Sequence, residues 1–131
     1  MGLPDEIAAL RAGEGNPGAL VGELRRTAVL VLTSGEDGIV TAPYGGVRWI
    51  LAFTDEEALA RYAHARRSPP DASWPYAAVL GARLLDAVVP AQDGPTGVAV
   101  NVADEDGSML FPPVPGIVPD AVAVTEEGDE G

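Results

Sequence analysis

The sequence predicts a single α+β domain: a mixed or antiparallel sheet of five to seven strands with two main helices packed on it. Three observations carry that expectation. Residues 27–33 are apolar throughout their middle and mostly β-favouring, the look of a strand covered on both faces. Residues 46–59 read as a buried strand that stops at Phe53 and passes directly into a helix. Residues 97–102 and 109–111 read as a hairpin around the turn-forming Asp104-Glu105-Asp106-Gly107. A chain of 131 residues is long enough for one such core and too short for two of ordinary size.

Each element follows from its local pattern. Residues 4–11 form an amphipathic turn or helix with Ile7 and Leu10 on one side, and residues 13–18, Gly-Glu-Gly-Asn-Pro-Gly, form a flexible linker. Residues 19–26 suit a helix of about two turns, with Leu20, Val21 and Leu24 inward and Pro17 near its start. After the strand at 27–33, a turn at 34–38, a short strand at 39–41 and a second turn at 44–46 predict a three-stranded antiparallel meander over 27–53. Within the third strand, alternation puts Val47, Trp49, Leu51 and Phe53 on one face and Arg48, Ile50 and Ala52 on the other.

The helix after Phe53 has Thr54 and Glu57 at capping-box spacing, acids in its first turn, and Arg66 and Arg67 at its end. Glu57 and Arg61 are placed to pair on its outer face. Residues 68–71 end it. Residues 76–80 make another strand, and Gly81 turns into a short helix, Ala82 to Val88, stopped by Pro90. Beyond Phe111 the Pro-rich run 112–115 reads as a strap over a sheet edge. Residues 121–125 are expected to add an edge strand, and residues 126–131 an acidic disordered tail. The expected organisation is residues 1–18 as a helical turn and linker, 19–125 as the domain, and 126–131 as the tail.

Charge narrows the function. The net charge is −12, with eight Arg and no Lys, and residues 84–131 carry ten acids and no base. Such a chain is repelled by nucleic acid and by anionic membrane surfaces. Met1-Gly2-Leu3-Pro4-Asp5-Glu6 lacks the basic and apolar regions of a signal peptide. The absence of Cys fits a reducing compartment and removes thiol catalysis and Cys-based zinc sites. The expectation is a cytoplasmic domain.

No motif supplies a reaction. Gly13, Gly15 and Gly18 match the dinucleotide-binding spacing but follow a helical segment rather than a strand, and Pro17 removes one N–H. Asp104, Glu105 and Asp106 have the carboxylate density of a calcium loop without EF-hand spacing or the distal Glu. His64 is the only histidine and is read as a solvated helix residue. The serines lie outside any Gly-x-Ser-x-Gly elbow. No catalytic, metal-binding or cofactor-binding residue is assigned. The candidate interaction surface is Asp104, Glu105 and Asp106 with Arg48 and Trp74.

With these elements in place, the chain resembles the N-terminal domain of the SseB (enhanced serine sensitivity) family, particularly the versions seen in actinobacteria. Residues 51–59, Leu-Ala-Phe-Thr-Asp-Glu-Glu-Ala-Leu, are similar to the family's strand-to-helix junction, with Leu-Ala in place of Pro-Ala. Gly81-Ala82-Arg83-Leu84-Leu85 is similar to its turn after the next strand. Gly97-Val98-Ala99-Val100-Asn101 is similar to its Gly-to-Asn strand, with Val102 in place of Pro. Leu110-Phe111-Pro112-Pro113 is similar to its closing motif. The resemblance covers about residues 19–119. It implies recurring residues that are structural, namely a cap, turn glycines and core leucines, and no catalytic residue.

The first functional expectation is a non-enzymatic protein-binding or adaptor module for a basic partner, since a one-signed surface speeds and selects association with its opposite. Its narrower form is an immunity or chaperone-like protein. The rival is an enzyme or small-ligand binder with a site built from Arg48, Tyr76 and the acids at 104–106. A third reading is a homodimer formed through an exposed strand edge or the Trp74 region.

Overall fold

The computed structural model describes residues 2–33, 38–66, 74–104 and 107–124. Six strands form one mixed sheet flanked by helices, an α+β arrangement. The strands are β1 (Ala28–Leu32), β2 (Thr41–Tyr44), β3 (Val47–Phe53), β4 (Tyr76–Leu80), β5 (Thr96–Val100) and β6 (Met109–Phe111). Their order is β4-β1-β3-β5-β6, with β2 also paired to β3. All neighbours are antiparallel except β3 and β5, which run parallel.

The helices are α1 (Leu3–Arg11), α2 (Pro17–Arg26) and α3 (Glu56–Ala65). A fourth, α4 (Gly81–Arg83), runs on through a π turn over Leu84–Val88 and a 3-10 turn over Val89–Ala91. Among the described residues, no helix is long and apolar enough to cross a membrane.

The alternation of β3 divides the core in two. Ile50 and Ala52 face a cluster with Val29, Val31, Val98, Val100 and Phe111, covered by Leu3 and Ile7 of α1, Leu20 and Leu24 of α2, and Leu84, Leu85 and Val89. Trp49, Leu51 and Phe53 face the other side with Leu32 and Ala99, covered by Ala58 and Leu59 of α3. Among the described residues, one face is therefore buried by several helical segments and the other by a single helix. Leu3 and Ile7 are fully buried, so α1 is part of the core, and the 13–18 connection supplies the α2 cap: Asn16 Oδ1 accepts from the Ala19 N–H at 3.0 Å.

Four local expectations are corrected. Residues 27–53 are not a simple meander. Both β1 and β2 lie along the same edge of β3, β1 beside Ala52 and Phe53 and β2 beside Val47 to Ile50, joined by one bridge between Thr33 and Ile39. They act as one strand with an excursion between its halves. The second strand also begins and ends later than its apolar pattern suggested. Tyr44 pairs with Val47 across Gly45-Gly46, both at positive φ, which the tight connection demands and only glycine adopts freely. The expected turn at 34–38 falls largely on residues outside the described ones.

The cap of α3 is Asp55, not Thr54. Asp55 is extended, and its Oδ1 accepts from the Ala58 N–H at 2.8 Å. Thr54 is engaged elsewhere, by Asn101, as described below. Asp55→Ala is expected to cost about 0.5–2 kcal/mol through loss of the cap, checked by urea denaturation.

The short helix after Gly81 does not stop at Pro90. It tightens to a 3-10 turn that ends at Ala91, with Pro90 inside its first positions, where no N–H is needed. Residues 120–122 form a 3-10 turn instead of an edge strand. Pro119 precedes it, and the Val124 N–H returns to the Pro113 carbonyl at 2.7 Å, so this segment belongs to the strap. The strap is anchored by Pro113 and Val118, both buried. The tail expected to be disordered lies outside the described residues.

Candidate functional site

The thinly covered face of the sheet holds an open groove of about 280 Å³, and its origin is legible residue by residue. On this face β5 presents only Gly97 and Ala99, while its larger Val98 and Val100 point the other way. Trp49 lies opposite Gly97 and spreads over it. A Cβ on Gly97 would sit 2.7 Å from the Trp49 ring and 2.6 Å from the Phe111 carbonyl, so the position has room only for hydrogen. The Trp49 indole N–H donates to the Tyr44 carbonyl at 3.1 Å, fixing the ring. Leu51, Ala99 and Leu110 then line up across three strands as the rest of the floor.

One wall comes from α3. Tyr62 packs between Phe53 and Trp74, with ring centroids 5.4 Å and 5.5 Å away, and Arg66 lies over the Tyr62 ring at 5.8 Å. The rim is exposed and apolar: Tyr44 is 73% accessible, Leu110 47% and Val102 37%. These are three of the five large hydrophobic residues that the described surface exposes, and they converge on one groove.

Asn101 sets the geometry of that wall. It is buried, with φ of +52°, a conformation asparagine tolerates better than most residues. Its Oδ1 accepts from the Thr54 N–H at 3.0 Å, and its Nδ2 donates to Thr54 Oγ1 at 3.1 Å. Its own N–H donates to the Ala52 carbonyl at 2.9 Å. The end of β5 is thereby locked to the β3–α3 junction, which fixes where α3 leaves the sheet.

The residues expected as an interaction surface are dispersed. Asp104 is bound by Arg61, with Nε at 2.6 Å from Oδ1 and Nη2 at 2.8 Å from Oδ2, so its charge ties the β5–β6 turn to α3. That contact replaces the expected Glu57–Arg61 pair. Glu105 and Asp106 lie outside the described residues. Arg48 is exposed and alternates with Trp49, which puts it on the opposite face of β3. Trp74 is half-buried behind Tyr62, the groove wall, and lines a separate cleft with Tyr76.

Nor do the residues of the expected small-ligand site converge. Tyr76 donates its hydroxyl to Glu56, which holds the phenol above its usual pKa, and the cleft it lines contains neither Arg48 nor Asp104. His64 is exposed on α3. Among the described residues no group of three or more His, Asp or Glu is placed to hold a metal ion.

Two other clefts are less suited to recognition. One of about 480 Å³ lies between α2 and the strap, lined by glycines, prolines and aliphatic carbons. Its one cation, Arg25, is held by Asp86 at 2.6 Å, a contact that keeps the Asp86 carboxyl below its ordinary range. The other, of about 310 Å³, separates α3 from β4 beside Trp74 and Tyr76.

The junction, the Gly81 turn, the Gly97-to-Asn101 strand and the closing Pro-Pro thus all serve as scaffold around one open face. The SseB protein N-terminal domain matches residues 3–114. The chain belongs to the SseB N-terminal domain family. The match takes in α1 and both faces of the sheet, so the groove is built wholly within the SseB domain. No curated protein and no solved structure matches the chain.

Sequence reasoning missed Tyr44, Leu110 and Asn101 as site-forming residues. A signal existed for Asn101: a lone polar residue ends an apolar strand, and such a residue is buried only with partners. Tyr44 and Leu110 carry no such mark, because their importance comes from the small residues beside them on another strand.

Proposed function

We propose that this SseB domain is a non-enzymatic protein-binding module, an adaptor, whose groove takes an extended apolar segment of a net-basic partner. The observation that carries the reading is the groove itself: an aromatic and aliphatic floor fixed by Gly97 and Asn101, with exposed Tyr44, Leu110 and Val102 at its rim. Exposed apolar surface gathered in one concavity marks interaction sites, whereas single exposed hydrophobic residues do not. The polar groups lining the groove are two phenols, one guanidinium and an indole N–H already donated to Tyr44, a set suited to contact.

Charge supplies the partner's character. The net charge of −12 steers a positively charged protein over distance, while the groove provides the short-range contact. An immunity or chaperone-like role, covering an apolar strip of a basic toxin or secreted substrate, is the narrower form of the same proposal.

Selection from random peptides displayed on phage, with the immobilised chain as bait, tests it. Enriched peptides are expected to hold an aromatic or aliphatic spine flanked by Lys or Arg. Leu110→Asp and Tyr44→Ala, both at exposed positions, are expected to weaken the enriched peptides at least about tenfold, or 1.4 kcal/mol. No enrichment, or binding indifferent to Leu110→Asp, would refute the proposal.

A further inference from the structure

One charged side chain lines the groove. Arg66 is the C-cap residue of α3, is exposed, and stands beside Tyr62, four positions earlier on the same helix face. Its guanidinium lies over the Tyr62 ring, 5.8 Å from the centroid. Tyr62 is itself held between Phe53 and Trp74. A guanidinium set over a ring face keeps its N–H donors, which lie in its own plane, for another partner.

Arg25, Arg26 and Arg61 each bind a carboxylate, at 2.6, 3.0 and 2.6 Å. Arg66 forms no ion pair among the described residues, although the chain has 20 acids for eight Arg. Arg48 and Arg83 form none either, but neither lines the groove. The groove's other side chains are uncharged. An apolar segment seated on Trp49, Leu51 and Leu110 therefore takes water away from Arg66 and leaves its donors in need of an acceptor.

We infer that the segment taken by the groove carries one acidic side chain, Asp or Glu, that pairs with Arg66 beside the apolar anchor. The inference rests on the proposed function and adds a rule to it: a basic segment with a single acid at a set position. Guanidinium and carboxylate meet through two parallel hydrogen bonds, which fixes the register of the segment along the groove.

The net charge of −12 makes that position selective. Elsewhere along the groove an acid gains no cation and meets a field of its own sign. A side chain, not a chain end, is the source. C-terminal carboxylates are captured by nests of backbone N–H groups, and α3 ends at Arg66, where a helix presents carbonyls instead.

Parallel selections from one library of displayed random peptides, on the unaltered chain and on Arg66→Gln, test this. Peptides enriched on the unaltered chain are expected to hold Asp or Glu at a constant spacing from the apolar spine. On Arg66→Gln the spine should persist and the acid should vanish. Replacing that acid by Ala in a synthetic peptide should weaken binding to the unaltered chain about fivefold and to Arg66→Gln not at all. Arg48→Gln, which changes net charge equally on the opposite face of β3, should keep the fivefold loss. Amidating the peptide's C-terminus should change nothing.

Enriched peptides that depend on Leu110 yet show no fixed acid would overturn the inference and leave the proposed function standing. An acid whose loss costs as much on Arg66→Gln as on the unaltered chain, or a loss on amidation, would also overturn it. No enrichment at all would remove the proposed function and the inference together.

Discussion

Gly81→Ala is expected to destabilise the chain by about 3 kcal/mol or more, a large share of the 5–15 kcal/mol typical of a domain. Gly81 is buried where β4 turns into α4, and it rests directly on the end of α2. A Cβ there would lie 1.8 Å from the Leu24 carbonyl oxygen, 2.6 Å from its carbon and 3.2 Å from the Arg25 Cα. All three are backbone atoms of a helix end that cannot swing aside as a side chain can. The Gly81 N–H also donates to the Thr27 carbonyl at 2.7 Å, which pins the glycine from the other side.

Relief of the clash must therefore separate α2 from the β4–α4 turn and open the core around Leu24, Leu84 and Leu85. Thermal melting followed by circular dichroism should show a fall in midpoint of roughly 10 °C or more. Gly22→Ala is the control. It lies within α2, and its Cβ would meet only the flexible end of Arg26 at 3.3 Å, so it is expected to stabilise by about 0.5–1 kcal/mol.

The second large effect is at Asn101. Asn101→Ala leaves the Thr54 N–H without its partner and places alanine at a positive φ, for a total cost of about 2–4 kcal/mol. Asn101→Gly separates the two contributions, since glycine accepts the backbone conformation and removes only the side-chain bonds. Glycine should therefore cost less than alanine by about 1 kcal/mol, measured by urea denaturation. Equal losses would mean that the backbone conformation carries no part of the requirement. Because Asn101 sets the angle at which α3 leaves β3, both variants should also weaken peptides selected against the groove.

Much of this architecture is legible along the chain. The alternation of β3 correctly separates Trp49, Leu51 and Phe53 from Ile50 and Ala52, because a strand buried on both faces must satisfy two cores at once. The acids ahead of α3 mark its start, yet two adjacent capping residues compete there. Asp55 takes the cap because Thr54 is claimed by Asn101, a partner 47 positions away. Arg61 illustrates the same limit: a local acid, Glu57, has the right spacing, and a distant one, Asp104, takes the contact.

The groove is less legible still. It depends on Gly97 and Ala99 lying beside Trp49 and Leu51, a parallel pairing that brings together strands separated by α3, β4 and α4. Nothing in the local pattern of Leu110 or Tyr44 distinguishes them from any other exposed hydrophobic residue. Their meaning comes from a neighbour whose side chain is small.

The two tryptophans offer the most direct measurement, since Trp49 floors the groove and Trp74 lines a separate cleft behind Tyr62. Each has one indole N–H signal in a nitrogen–proton correlation spectrum. On titration with a peptide enriched against the chain, the Trp49 signal is expected to move together with the amides of Ala99 and Leu110, and by more than the Trp74 signal, which Tyr62 separates from the groove. Movement at Trp74 with Trp49 unchanged would contradict binding in the groove.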